Sequence, residues 1–225
     1  MKFLSEAAGT LFLVLAVVGS GIMAQLLSTD VGLQLLINAA ATVAMLFILI
    51  NIIAPLSGAH FNPVVSLVAV LRKELAVSEM LGYITAQVVG AISGSLLAHI
   101  LFDREVIALS TFDRQGFHLL LAEVIATFGL IIIVFADWKK FRVRHRATLI
   151  SLWIGAAYFF TSSTSFANPA VTIGRLFTDS FAGISPASVP PFILAQIIGG
   201  ALAFWILMAI KKSLKAQKES KRSAI

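Results

Sequence analysis

The sequence contains no cysteine, which excludes structural disulfides and thiolate metal sites and leaves the redox compartment undetermined. Charge is scarce too: Asp, Glu, Lys and Arg make up 12% of 225 residues, against the ~25% usual in a soluble globular domain. No nucleophile with a nearby base and no phosphate-binding loop is discernible, so an enzyme is not indicated. The 4 histidines show no zinc-like spacing, and neither a metal site nor a cofactor is expected.

What the chain has instead is apolar surface: 59% of residues are hydrophobic and the mean hydropathy is +0.96. A bilayer core needs ~20 consecutive apolar residues per helix, so there is room for about six spans in one membrane domain. The stretch from Phe3 to Leu27 is longer than a secretion signal and carries Glu6 inside it, so it is expected to remain as a first span. Apolar runs bounded by polar or Gly/Pro punctuation predict spans at about 4–26, 33–54, 79–101, 118–137, 147–163 and 190–210.

The net charge of +6 would suit nucleic acid, but the basic residues sort by membrane side. Lys2; Arg72 and Lys73; Lys139, Lys140, Arg142, Arg144 and Arg146; and six more from Lys211 to Arg222 fall at alternate connections. Only Arg104, Arg114 and Arg175 lie elsewhere. The positive-inside rule makes the richer side cytoplasmic, with both termini there, and no nucleic-acid partner is expected.

Two connections, Pro55 to Leu71 and Ser162 to Phe177, are apolar but too short to span, and each holds an Asn-Pro. Irregular backbone at membrane depth is tolerated only where it is buried in protein or lines a wet cavity, so the pair points to a pore or substrate site. The halves repeat around them. Glu6-Ala-Ala-Gly-Thr10 matches Glu123-Val-Ile-Ala-Thr127, and Ala86-Gln87-Val-Val-Gly90 matches Ala195-Gln196-Ile-Ile-Gly199. Three spans separate the copies, so the second half enters the membrane inverted. The expected organisation is one channel domain over 1–210, with repeats at 1–103 and 118–210, and a basic, disordered cytoplasmic tail at 211–225.

Asn62-Pro63-Val64 and Asn168-Pro169-Ala170 suit a helix starting inside the membrane. Asn caps an orphan backbone N–H through its side-chain oxygen, and Pro fits position N1. The Asn amides are left as donors, and two helix N-termini meeting at the midplane disfavour a cation. The glutamates Glu6 and Glu123, inside spans, leave a proton relay open. Gly82, Gly90, Gly94, Gly199 and Gly200 suit close helix crossings. His118 and His145 are expected at the interface.

From Glu6 to Trp205 the chain resembles the aquaporin and aquaglyceroporin superfamily, the major intrinsic proteins, through its two Asn-Pro boxes. The first reads Val64 where the usual residue is alanine. The resemblance implies an all-α fold of six transmembrane helices plus two re-entrant half-helices, a homotetramer, and Glu6 and Glu123 as braces of the re-entrant loops. It implies a filter at Thr42, Ala156, Ser165 and Val171, and lining carbonyls at Gly58, Ala59, His60, Thr164, Phe166 and Ala167. His60 is expected to fix its loop.

Water-selective members carry Phe, His and Arg at three filter positions; this chain has Thr42, Ala156 and Val171. Arg175, one turn after Val171, is expected to be structural. The pattern is similar to aquaglyceroporin-like channels of bacterial arsenic-resistance systems, which implies a bacterial inner-membrane channel for small neutral solutes: glycerol-like polyols, metalloid hydroxides such as arsenite, and water. Alternatives are a proton-coupled secondary transporter working through Glu6 or Glu123, and a non-conducting structural membrane protein.

Overall fold

A computed structural model describes residues 1–136 and 143–223. Lys139, Lys140, Arg142 and the end of the span expected at 118–137 lie outside the described residues, as do the side chains of Arg144, His145, Lys218, Lys221 and Arg222. The described residues form eight α-helices and one 3-10 turn, Pro186–Ser188, with no strand. The helices are α1 (Lys2–Leu27), α2 (Val31–Ser57), α3 (Pro63–Leu71), α4 (Val77–Leu101), α5 (Phe117–Phe135), α6 (Val143–Phe160), α7 (Pro169–Arg175) and α8 (Val189–Ser223).

Five of these, α1, α2, α4, α5 and α8, are long and apolar enough to cross a membrane, and α6 adds a shorter apolar stretch over Arg146–Phe160. Their outward faces carry large apolar side chains such as Leu36, Ile52, Val89, Leu152 and Trp205, as a lipid-facing surface requires. α3 and α7, at 9 and 7 residues, are the two half-helices.

Local chemistry sets the ends. Asp30 accepts from Leu33 N at 2.7 Å to cap α2, and α2 stops at Gly58, whose φ of +91° suits a residue without Cβ. Asn62 Oδ1 accepts from Val64 N, and Asn168 Oδ1 from Ala170 N and Val171 N, with Pro63 and Pro169 following.

The inverted repeat appears as matched crossings: α1 packs on α4, and α5 on α8. Gly90 and Gly199 hold the equivalent contact points. A Cβ on Gly90 would lie 2.2 Å from the carbonyl oxygen of Ala7, and one on Gly199 2.4 Å from that of Val124. Backbone therefore meets backbone at both crossings. Gly90→Ala is expected to force α1 and α4 apart at a cost of about 3 kcal/mol, read as a lower thermal unfolding midpoint in detergent.

One boundary needs correction. The tail from Lys211, expected to be disordered, continues α8 as far as Ser223. Its Lys, Leu, Ala, Gln and Glu residues are good helix formers that extend an existing nucleus, and Lys215 pairs with Glu219 at i,i+4 (3.7 Å).

Candidate functional site

Each half-helix is preceded by a loop with the same unusual backbone. Gly58 and Thr164 have φ of +91° and +62°, Ala59 and Ser165 +52° and +50°, Phe61 and Ala167 +49° and +48°. Non-glycine residues in the left-handed region cost about 1–3 kcal/mol each and persist only where surroundings over-determine them.

Two buried carboxylates do this. Glu6 Oε1 accepts from Ser57 Oγ (2.6 Å) and His60 N (2.9 Å), and Oε2 from Phe61 N (2.7 Å) and Gln87 Nε2 (2.8 Å). Glu123 repeats the pattern: Oε1 accepts from Ser163 Oγ (2.7 Å) and Phe166 N (2.9 Å), Oε2 from Ala167 N (2.8 Å) and Gln196 Nε2 (2.6 Å). Both side chains are fully buried, and neither lines the cavity described below. His60 Nδ1 lies 3.1 Å from Ser66 Oγ, which fixes the ring in its loop. His118 offers its carbonyl to Ser162 Oγ beside the start of α5.

The two half-helices are clasped together. Asn62 Nδ2 donates to the carbonyl of Ala167 (2.8 Å), and Asn168 Nδ2 to that of Phe61 (2.7 Å). The expectation that both amides are wholly left for the pore is therefore corrected: each gives one N–H to the opposite loop and keeps one. The Ala167 carbonyl, expected to serve the pore, accepts this bond. Val64 is accommodated by α8, since a Cβ on Gly200 would meet its Cγ1 at 2.3 Å.

A cavity of about 340 Å³ runs past these boxes. At one end it is lined by Glu74, in the α3–α4 link, and Arg146, in the first turns of α6; at the other by Tyr158 and Arg175. Between them the walls are mostly apolar, with Leu46, Ile50 and Leu130 among the lining, while Asn62 and Asn168 stand at the junction of the half-helices. Gly58, Ala59, His60, Phe166 and Ala167 line it; Thr164 does not. Thr164 precedes the lining stretch and its side chain is only half-buried.

Of the four expected filter residues, Thr42, Ser165 and Val171 line the cavity. Ala156 does not: it is exposed on the outer face of α6, and Ile150, Ile154 and Tyr158 form the inner stripe. At ~100° per residue, a slip of two positions turns a side chain to the far side of a helix. Tyr158 Oη lies 3.2 Å from Thr42 Oγ1, which donates to Asn38 O at 2.8 Å or shares its proton with the phenol. A tyrosine thus stands where an alanine was expected.

Arg175, expected to be structural, has a second aspect. Its Nε does brace the chain, donating to Ala182 O, but its side chain also lines the cavity. Arg114, in the α4–α5 link, bonds Gly183 O through Nε at 2.8 Å. Burial pushes its guanidinium down to about 10, which keeps it cationic at neutral pH. No cluster of three or more metal-ligating side chains occurs among the described residues.

Comparison with known proteins agrees with this architecture. A profile of the family described as Major intrinsic protein matches residues 1–167. The chain is 45% identical over 218 residues to aquaglyceroporin AqpS of Rhizobium meliloti (strain 1021), covering 95% of this chain and 93% of that one. It is 31% identical over 183 residues to a probable TIP-type aquaporin of Medicago truncatula, covering 76% and 72%. The X-ray structure of the aquaglyceroporin from Plasmodium falciparum shares the fold at a TM-score of 0.68 with 20% identity, over 91% of this chain and 93% of that one. The braced half-helices, the cavity between them and these likenesses together establish that the chain belongs to the major intrinsic protein family, a multi-pass membrane channel for small solutes.

Proposed function

We propose that the protein is a passive channel for small neutral solutes, namely glycerol-like polyols, metalloid hydroxides such as arsenite, and water. One observation carries this reading: Val171 lines the cavity at the position where an arginine is usual in the family. A valine there removes a five-donor fork and its volume, and Thr42 removes ring volume opposite. Tyr158 returns some of that volume, so the case for a wide passage rests on Val171 and Thr42 rather than on Ala156. Hydroxyls at Thr42, Tyr158 and Ser165 suit uncharged, oxygen-rich solutes, and the likeness to an aquaglyceroporin supports the same class.

A cytoplasmic position for both termini, a bacterial inner membrane and a homotetramer belong to the same proposal. The charge distribution supports the first, the Rhizobium relative the second, and the exposed apolar helix faces fit the third. The proton-coupled alternative is disfavoured by Glu6 and Glu123, which each hold four donors and lie away from the cavity. Stopped-flow light scattering on proteoliposomes tests the reading. Glycerol flux and arsenite uptake clearly above empty vesicles are expected, and passage of water alone would contradict it.

A further inference from the structure

Arg175 ends α7 with 1% of its surface exposed, yet it lines the cavity. Its guanidinium carbon lies 3.4 Å from the centre of the Phe166 ring, and the same ring has the guanidinium of Arg114 at 5.0 Å. Neither arginine pairs with a carboxylate among the described residues. The carboxylate within electrostatic reach of both is Glu123, and its oxygens are taken by Ser163 Oγ, Phe166 N, Ala167 N and Gln196 Nε2.

The bond from Nε to Ala182 is the one side-chain hydrogen bond of Arg175 among the described residues, so its terminal N–H groups have no protein acceptor there. Ser165, another residue of the cavity wall, has a buried Oγ with no hydrogen-bond partner. Buried polar groups are nearly always satisfied, and exceptions call for an explanation. A permeating solute supplies one here.

We infer that Arg175 and Ser165 form a solute station at the Tyr158 end of the pore, binding the hydroxyl oxygens of a neutral polyol or metalloid hydroxide. Resting on the proposed function, this assigns the specificity-determining guanidinium to a residue one turn beyond Val171. The terminal N–H groups donate to solute oxygens and Ser165 both donates and accepts, which compensates a desolvated polyol hydroxyl. The Phe166 face and the Ala182 carbonyl fix the fork, and a guanidinium in the pore wall whose charge is paired with no carboxylate disfavours cations.

The test compares wild type and Arg175→Met in proteoliposomes, with size exclusion and thermal unfolding measured on both. In Arg175→Met the glycerol-to-water permeability ratio is expected to fall about tenfold, because solute hydroxyls lose their donors. Loss of the Ala182 brace alone would lower the unfolding midpoint and change both fluxes together, without moving their ratio. A wild-type ratio in Arg175→Met overturns the station and reduces Arg175 to a brace.

Should Arg175→Met fail to fold, Arg175→Lys is read for the same ratio. It keeps the charge but not the planar fork, so a clear fall supports the station and a wild-type ratio overturns it. Wild-type vesicles that leak potassium overturn the cation-repelling role without any variant. Wild type lacking glycerol flux refutes the proposed function instead, so the two failures are distinguishable.

Discussion

Glu123→Ala is expected to prevent recovery of folded protein from detergent extracts, or to leave a species that unfolds far below wild type. The substitution strands four donors that have no water to turn to: Ser163 Oγ, Phe166 N, Ala167 N and Gln196 Nε2. Leaving buried donors unmet costs about 1–3 kcal/mol each, so the total is on the order of 5 kcal/mol even if some rearrange. The left-handed residues Thr164, Ser165 and Ala167 would also lose what holds them.

Glu123→Gln is expected to be milder. Its amide oxygen keeps two bonds, and the Gln196 amide, whose Oε1 has no partner, can turn to accept from the new NH2, leaving Ala167 N as the main loss. Thermal unfolding of the two variants, followed by size exclusion, checks the ranking. Equal stability of Glu123→Ala and wild type would show that the carboxylate does not hold the loop.

Val171→Arg carries the largest expected functional effect. The new guanidinium would enter a cavity that already holds Arg175, with Thr42 and Tyr158 across it. Glycerol and arsenite permeability are expected to fall about tenfold or more, with water reduced far less, because the added volume of the guanidinium narrows the passage for the larger solute most. Stopped-flow ratios on matched proteoliposomes check this. An unchanged glycerol-to-water ratio would show that Val171 does not face the narrow part of the pathway.

How much of this could be read without coordinates follows from how local each feature is. The Asn-Pro boxes declare themselves because capping is decided within three residues, as the bonds from Val64 N and Ala170 N show. The inverted repeat was visible because Glu6 and Glu123, like Gln87 and Gln196, do matched jobs at matched positions. Tyr158 was not visible. Its place depends on the rotation of α6, and counting along the motifs gave Ala156, which faces outward.

Arg175 was hidden for a different reason. Its direction is set by Phe166 and by Ala182, seven residues further on, contacts that no local pattern shows. The clasp between Asn62 and the carbonyl of Ala167 joins residues 105 apart, so no motif could show that one amide N–H was already taken. The helical extension of α8 past Lys211 was readable from propensity but was overridden by the expectation that charge-rich tails stay unfolded.

The most direct test of the central claim is the concentration and pH-gradient dependence of glycerol flux in proteoliposomes of purified wild-type protein. A passive channel predicts flux that rises linearly with the gradient, stops at equal concentrations and is unchanged by an imposed pH difference. Saturable uptake that a pH gradient drives beyond equality, or flux no greater than that of empty vesicles, would contradict it.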